Sequence, residues 1–149
     1  MKQYQLNKEN YIKQNDLHII HIYDRMWSES YKDTIQLLIN YFNEEYNWKD
    51  MFTLDNALER IKEGQNLFLL YVERRVIGYV WFKELNNDTC FGYNLYVTKK
   101  IDRPKYAPKW FYNKVSGIML ERYNIINVEI EHWNKVVFDL VESIGYKEI

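Results

Sequence analysis

Between Lys99 and Lys109, five cationic side chains share one loop with a single carboxylate: Lys99, Lys100, Arg103, Lys105 and Lys109 against Asp102. Such a loop can hold an anion, because Lys and Arg bind phosphate through charge and donor geometry without special backbone shape. It runs into apolar positions at helical spacing, Trp110, Phe111, Val115, Ile118 and Met119. Pro108 stands in the first turn, where its missing N–H would have had no partner in any case. Upstream, Asn86, Asn87 and Asp88 break the chain, and Thr89 to Thr98 reads as a strand rich in aromatic and branched residues. A strand feeding a helix N-terminus through a cationic loop is an anion-site arrangement, here built without glycine.

Other reactive side chains point to less. His18 and His21 lie three apart in a β-prone run, so they face opposite sides of a strand and share no metal; no metal site is expected. Cys90 is the single cysteine, which rules out an internal disulfide and fits a reducing compartment. No His or acid is placed beside it, so a buried strand thiol is the expected role rather than a nucleophile. Trp110, Phe111 and Trp133 could flank an acyl or adenine group, or fill a core. Tyr93 and Tyr96 fall on opposite faces of a regular strand, so at most one can look into a cleft.

These residues need a scaffold, and the chain is long enough to build one. At 149 residues, with 47% hydrophobic and 28% charged residues, it has the composition of one folded domain, 1–149, with 1–16 as a polar N-terminal arm. A net charge of −1 argues against bulk binding to nucleic acid or membranes. No apolar run reaches the length of a membrane span and no signal-peptide pattern opens the chain, so a cytoplasmic protein is expected.

Leu17–Asp24 reads as strand β1. Ser30 and Asp33 resemble a capping box before a helical stripe from Tyr31 to Tyr46, helix α1. Thr53 and Asp55 cap a shorter helix α2 on Leu54, Ala57, Leu58 and Ile61, which Gly64 ends. Strands β2 (Asn66–Glu73), β3 (Val76–Leu85) and β4 (Thr89–Thr98) follow in meander order, then helix α3 from Pro108. Ile125–His132 reads as β5, Asn134–Ile144 as α4 with Gly145 as its stop, and Tyr146–Ile149 as a stub of β6. The expected fold is α/β (α+β): a mixed, mostly antiparallel sheet in the order β1-α1-α2-β2-β3-β4-α3-β5-α4-β6, ending after β6. Helix α3 separates β4 from β5, so that pair is expected parallel, with a ligand crevice where the sheet changes habit.

This order, with Val76-Ile-Gly-Tyr-Val80, Asn94-Leu-Tyr-Val97 and the closing set Asn134, Val136-Val137, Leu140, Ile144, Gly145 and Tyr146, resembles the GNAT superfamily of acyl-CoA-dependent N-acyltransferases. The resemblance covers Leu17 to Tyr146. It implies acetyl-CoA or a related acyl-CoA in a cleft where β4 and β5 splay. The pantetheine arm would pair with backbone at Leu95, Tyr96 and Val97. The pyrophosphate would meet Arg103, Lys105, Tyr106, Ala107 and Lys109, and Asn134 would complete the cofactor set.

The departures are equally legible. The family's phosphate-loop glycines are replaced by Lys105 and Ala107, or by Tyr106 and Pro108 in the next register, and Pro104 and Pro108 each remove an N–H. The strand-four Glu that many members use as a base is Asn94, and the helix-four Tyr that protonates the leaving thiolate is Val141. Candidate catalytic positions are Asn94 itself and Glu129 or Glu131 on β5, with Glu84 and His132 as further bases. Two functions fit: transfer of an acyl group to a small-molecule or protein amine, or a binding module of this fold without chemistry. The ending after β6 also leaves an edge strand through which a homodimer could form.

Overall fold

A computed structural model describes residues 1–5, 17–23, 29–46, 53–130 and 135–149. Its elements are β1 (Leu17–Ile22), α1 (Lys32–Tyr46), α2 (Leu54–Lys62), β2 (Asn66–Val72), β3 (Arg75–Glu84), β4 (Thr89–Val97), α3 (Ala107–Leu120), β5 (Ile125–Val128) and α4 (Lys135–Ser143). The sheet runs β1-β2-β3-β4-β5 in chain order, antiparallel throughout except for the parallel β4–β5 pair.

Alternation along the central strands divides the core. In β2, Leu67 and Leu69 face α1 and α2, where Ile35, Leu38, Ile39, Ala57 and Ile61 meet them. Phe68 and Leu70 face the other way, toward Phe111, Val115 and Met119 of α3 and Val141 of α4. With both faces covered, β3 is buried along most of its length rather than alternating. Local signals set the helix ends as their chemistry requires. Thr53 Oγ1 accepts the Asn56 N–H at 3.2 Å as N-cap of α2. Gly64 leaves that helix at φ +95°, and Gly145 leaves α4 at φ +107°, with the Tyr146 N–H closing onto Val141 O at 3.0 Å.

Two expectations are corrected. Tyr146–Ile149 forms no sixth strand. Tyr146 turns inward instead: its hydroxyl lies 2.8 Å from Ser116 Oγ and its ring packs on Tyr112, so the tail is tied to α3 rather than laid beside β5. Tyr93 and Tyr96 do not face opposite sides. A register shift between β3 and β4 places both on the α1–α2 face. The cause is Asn94, at φ +55°, which inserts one extra residue and reverses the alternation beyond it. The expected residues 131–132 of β5, with Glu131 and His132, and the expected start of α4 at Asn134, lie outside the described residues, as do Trp133 and most of the 1–16 arm.

Candidate active site

The β4–β5 ladder is four pairs long, Thr89 to Gly92 against Ile125 to Val128. Beyond Gly92, among the described residues, strand β4 keeps its partner on one side alone: Tyr96 pairs with Tyr79, Val97 with Gly78, and the Thr98 N–H donates to Ile77 O at 2.7 Å. Because Thr98 directs its N–H toward β3, alternation directs the N–H and C=O of Leu95 and Val97 to the opposite side. That side is where β5 has already parted from β4. The result is a half-strand whose outward donors and acceptors meet no strand among the described residues.

Glycines fix both ends of this geometry. A Cβ on Gly78 would sit 2.5 Å from the Tyr96 carbonyl oxygen, so only glycine lets β3 approach the splayed half of β4. A Cβ on Gly92 would come within 2.8 Å of Tyr112 Oη and of the Phe82 ring. The Tyr112 hydroxyl is therefore packed under the point where the ladder ends. Burial and the neighbouring Tyr146 hold its proton far above the usual phenol range.

Past Val97 the loop is held by side chains. Glu45, in the last turn of α1, accepts the Thr98 hydroxyl at 3.1 Å and the Lys99 N–H at 2.7 Å. Lys100 forms an ion pair with Glu44. Arg103 folds back, donating from Nε to Thr98 O at 3.2 Å and from Nη1 to Pro104 O at 3.5 Å. Helix α3 then starts with Tyr106 in the N-cap position, without a side-chain cap. The Ala107 N–H is spent on Pro104 O at 3.0 Å, and Pro108 has none. Lys105 and Lys109 are exposed beside this turn.

The expected site residues therefore separate. The backbone of Leu95 and Val97 turns away from β3, and Lys105, Tyr106 and Lys109 are exposed around the start of α3. Tyr96 does not join them: its side chain is 3% exposed among Phe42, Tyr46 and Tyr79, and its carbonyl faces β3. Arg103 and Ala107 are committed to the loop itself. Asn94 is exposed at the bulge, and Glu129 is exposed just past the end of β5. Glu131 and Asn134 fall outside the described residues. Of the alternative bases, Glu84 accepts the Tyr123 hydroxyl at 3.0 Å at the opposite end of the sheet. Val141 is a core residue, 5% exposed. Cys90 is fully buried, and burial pushes its thiol up to about 11, the wrong direction for a nucleophile. His18 stacks on Tyr71, and His21 bonds Asn66 Oδ1 at 2.8 Å. Among the described residues no three metal-ligating groups converge.

Glu44 and Glu45 were invisible as site residues from sequence. The available signal was electrostatic: α1 ends in two carboxylates with no basic residue in its last turn, which opposes the helix dipole.

A hollow of about 800 Å³ opens along β5 between α3 and α4, among Leu120, Ile125, Val128, Phe138 and Ile144. Among the described residues no further strand pairs with β5 on this side.

Comparison with solved structures places this architecture. An aminoglycoside acetyltransferase from an uncultured soil metagenomic sample, in complex with sisomicin, superposes with a TM-score of 0.68 at 14% identity, over 91% of this chain and 93% of that one. The chain has the GNAT fold. A ribosomal-protein-alanine N-acetyltransferase from Brucella melitensis biovar Abortus 2308 matches with a TM-score of 0.64 at 13% identity, over 89% of this chain and 92% of that one. The structure of AAC(6')-Iy with the bisubstrate analogue CoA-S-monomethyl-acetylneamine matches with a TM-score of 0.61 at 12% identity, over 89% and 91%. No family model and no curated protein sequence matches the chain. The GNAT fold agrees with the expected mostly antiparallel mixed sheet and its parallel β4–β5 pair. Among the described residues no helix is long and apolar enough to cross a membrane.

Proposed function

We propose that this chain transfers an acetyl group, or a related acyl group, from its coenzyme A thioester to an amine. The observation that carries the reading is the one-sided half of β4: the backbone groups of Leu95 and Val97 meet an opened edge, which suits the amide-bearing pantetheine arm. The residues present fit an acyl-CoA in its other part as well. Lys105 and Lys109 offer cations for the diphosphate end, in place of the glycine-rich backbone cradle. Acetyl-CoA, when bound, supplies the activated acyl group; everything else falls to the chain.

An alkylamine of pKa ~10.4 is about 1 part in 2,500 neutral at pH 7, so a base within reach of it accelerates transfer. Glu129, exposed next to the splay, is the described carboxylate that could take this proton; Glu131 is a second candidate, and Asn94 could position the amine or a water. With Val141 in place of a hydroxyl, a thiol of pKa ~8.5 leaves as its thiolate. Orientation along β4 then supplies most of the rate. The acceptor is a small-molecule or protein amine, the two classes named for the structural neighbours above. The reading keeps residues 1–149 as one cytoplasmic domain. A homodimer would form through the open edge of β5, where backbone groups and apolar side chains are both uncovered.

A second reading has its own observation. Asn94 is spent on the bulge, and Val141 is sealed in the core, which favours a binding module with its chemistry removed. A coupled assay separates the two. Thiol release from acetyl-CoA, measured with panels of aminoglycosides, polyamines and amino-terminal peptides, is expected to rise with at least one acceptor. Acetyl-CoA binding without thiol release across all three panels would favour the module.

A further inference from the structure

We infer that Glu45 is the positioning residue of the acyl-CoA loop, replacing with a carboxylate clamp the shape that glycines would otherwise give; this rests on the acyl-CoA reading above. Three observations meet at this side chain. One carboxylate oxygen takes two donors at the first bend of the loop, the hydroxyl of the fully buried Thr98 at 3.1 Å and the Lys99 N–H at 2.7 Å. The Lys100 N–H in turn donates to Thr98 Oγ1 at 3.1 Å, so the clamp passes through Thr98 into the next residue. The contact also resolves a conflict, because a helix that ends in Glu44, Glu45 and Tyr46 places negative charge at its negative pole. Such a mismatch is tolerated when the carboxylates have partners, and here the partners are Lys100 for Glu44 and the loop backbone for Glu45.

The two sides of the loop are held by opposite means. Arg103 gathers outward carbonyls, and Glu45 gathers donors from the side of α1. Between them the path from Val97 to Tyr106 is fixed without glycine, and it sets Lys105 and Lys109, both exposed, around the start of α3. Glu45 touches none of the reacting atoms; it acts through the loop on the diphosphate end of the ligand. Because α1 also packs Phe42 and Tyr46 against Tyr96, one helix braces both the loop and the strand that precedes it.

The clamp uses Oε1 alone, while Oε2 is buried without a hydrogen-bond partner among the described residues. Glutamine therefore keeps the acceptor where it is needed, and alanine removes it. The test is calorimetric titration of the whole chain with acetyl-CoA and, separately, with pantetheine, for Glu45→Ala, Glu45→Gln and Thr98→Val. Glu45→Ala is expected to raise the acetyl-CoA Kd about tenfold or more, with Glu45→Gln within about threefold of wild type. Pantetheine, which lacks the diphosphate, is expected to bind all variants alike. Amide hydrogen exchange across 98–106, measured without ligand, is expected to speed up in Glu45→Ala and Thr98→Val. Unchanged loop exchange in both variants, or equal loss of pantetheine and acetyl-CoA, would overturn the clamp. Faster loop exchange in a chain whose wild type ignores acetyl-CoA would leave the clamp standing and remove the acyl-CoA reading instead.

Discussion

The two halves of β4 have similar side chains and the same neighbour on one side, yet they end in different states. From Thr89 to Gly92 the strand is paired on both edges, and Cys90 and Gly92 are closed in by Phe82, Tyr112 and the α3 core. From Leu95 to Val97, among the described residues, it is paired with β3 alone. Strand propensity does not separate the halves, since both carry aromatic and branched residues. The difference is made by one residue with positive φ, Asn94, and by the departure of β5 after Val128. One edge of the strand is released while the other stays anchored, which is what the proposed acyl-CoA site requires.

Breaking the paired half should cost the most. Phe82 is fully buried between Phe68 and Tyr112, so Phe82→Ala should destabilise the chain by about 3–5 kcal/mol in urea unfolding. Asn94→Val tests the junction: forcing a branched residue into left-handed backbone should cost about 1–2 kcal/mol. It should also weaken acetyl-CoA binding, whereas Asn94→Gly should retain both. On the released half, the Lys105→Ala/Lys109→Ala double variant should leave urea stability within about 0.5 kcal/mol, because both side chains are exposed. Its acetyl-CoA Kd should rise about tenfold and lose most of its salt dependence.

At neutral pH the titration of Cys90 makes no difference; its effect is a pH slope confined to alkaline solution. Burial pushes its thiol up to about 11 from an ordinary value of 9.0. Between those values the unfolded chain has released a proton that the folded chain retains, so this group's contribution is full below about pH 9 and is lost as pH rises toward 11. Cys90→Ala should flatten the slope of stability over that alkaline window, measured by denaturation at stepped pH.

Most of the architecture was legible because it rests on local patterns. The α1 stripe, the Thr53 cap, the Gly64 and Gly145 stops and the meander of three strands are each written within a few residues. The parallel β4–β5 pair followed from the intervening helix. What escaped was long-range or turned on a single dihedral angle. Asn94 reads as an ordinary polar residue at a catalytic position, and only its φ reveals a bulge that carries Tyr96 onto the same face as Tyr93. Glu45 meets its loop across 53 and 54 residues, a contact that no periodicity encodes. The sixth strand failed because Tyr146 found a better partner in Ser116 and Tyr112 than in the edge of β5. The cationic loop was visible as a charge run, but not that Lys100 and Arg103 are spent on holding it.

The central claim is that acyl-CoA lies against the released edge of β4. Amide chemical shifts followed during titration with acetyl-CoA test it most directly. The account predicts saturable shifts at Leu95, Val97 and Lys109, with Thr89 to Gly92 and the outer edge of β5 little changed. Shifts confined to the hollow beside Ile125 and Val128, or none at millimolar acetyl-CoA, would contradict it.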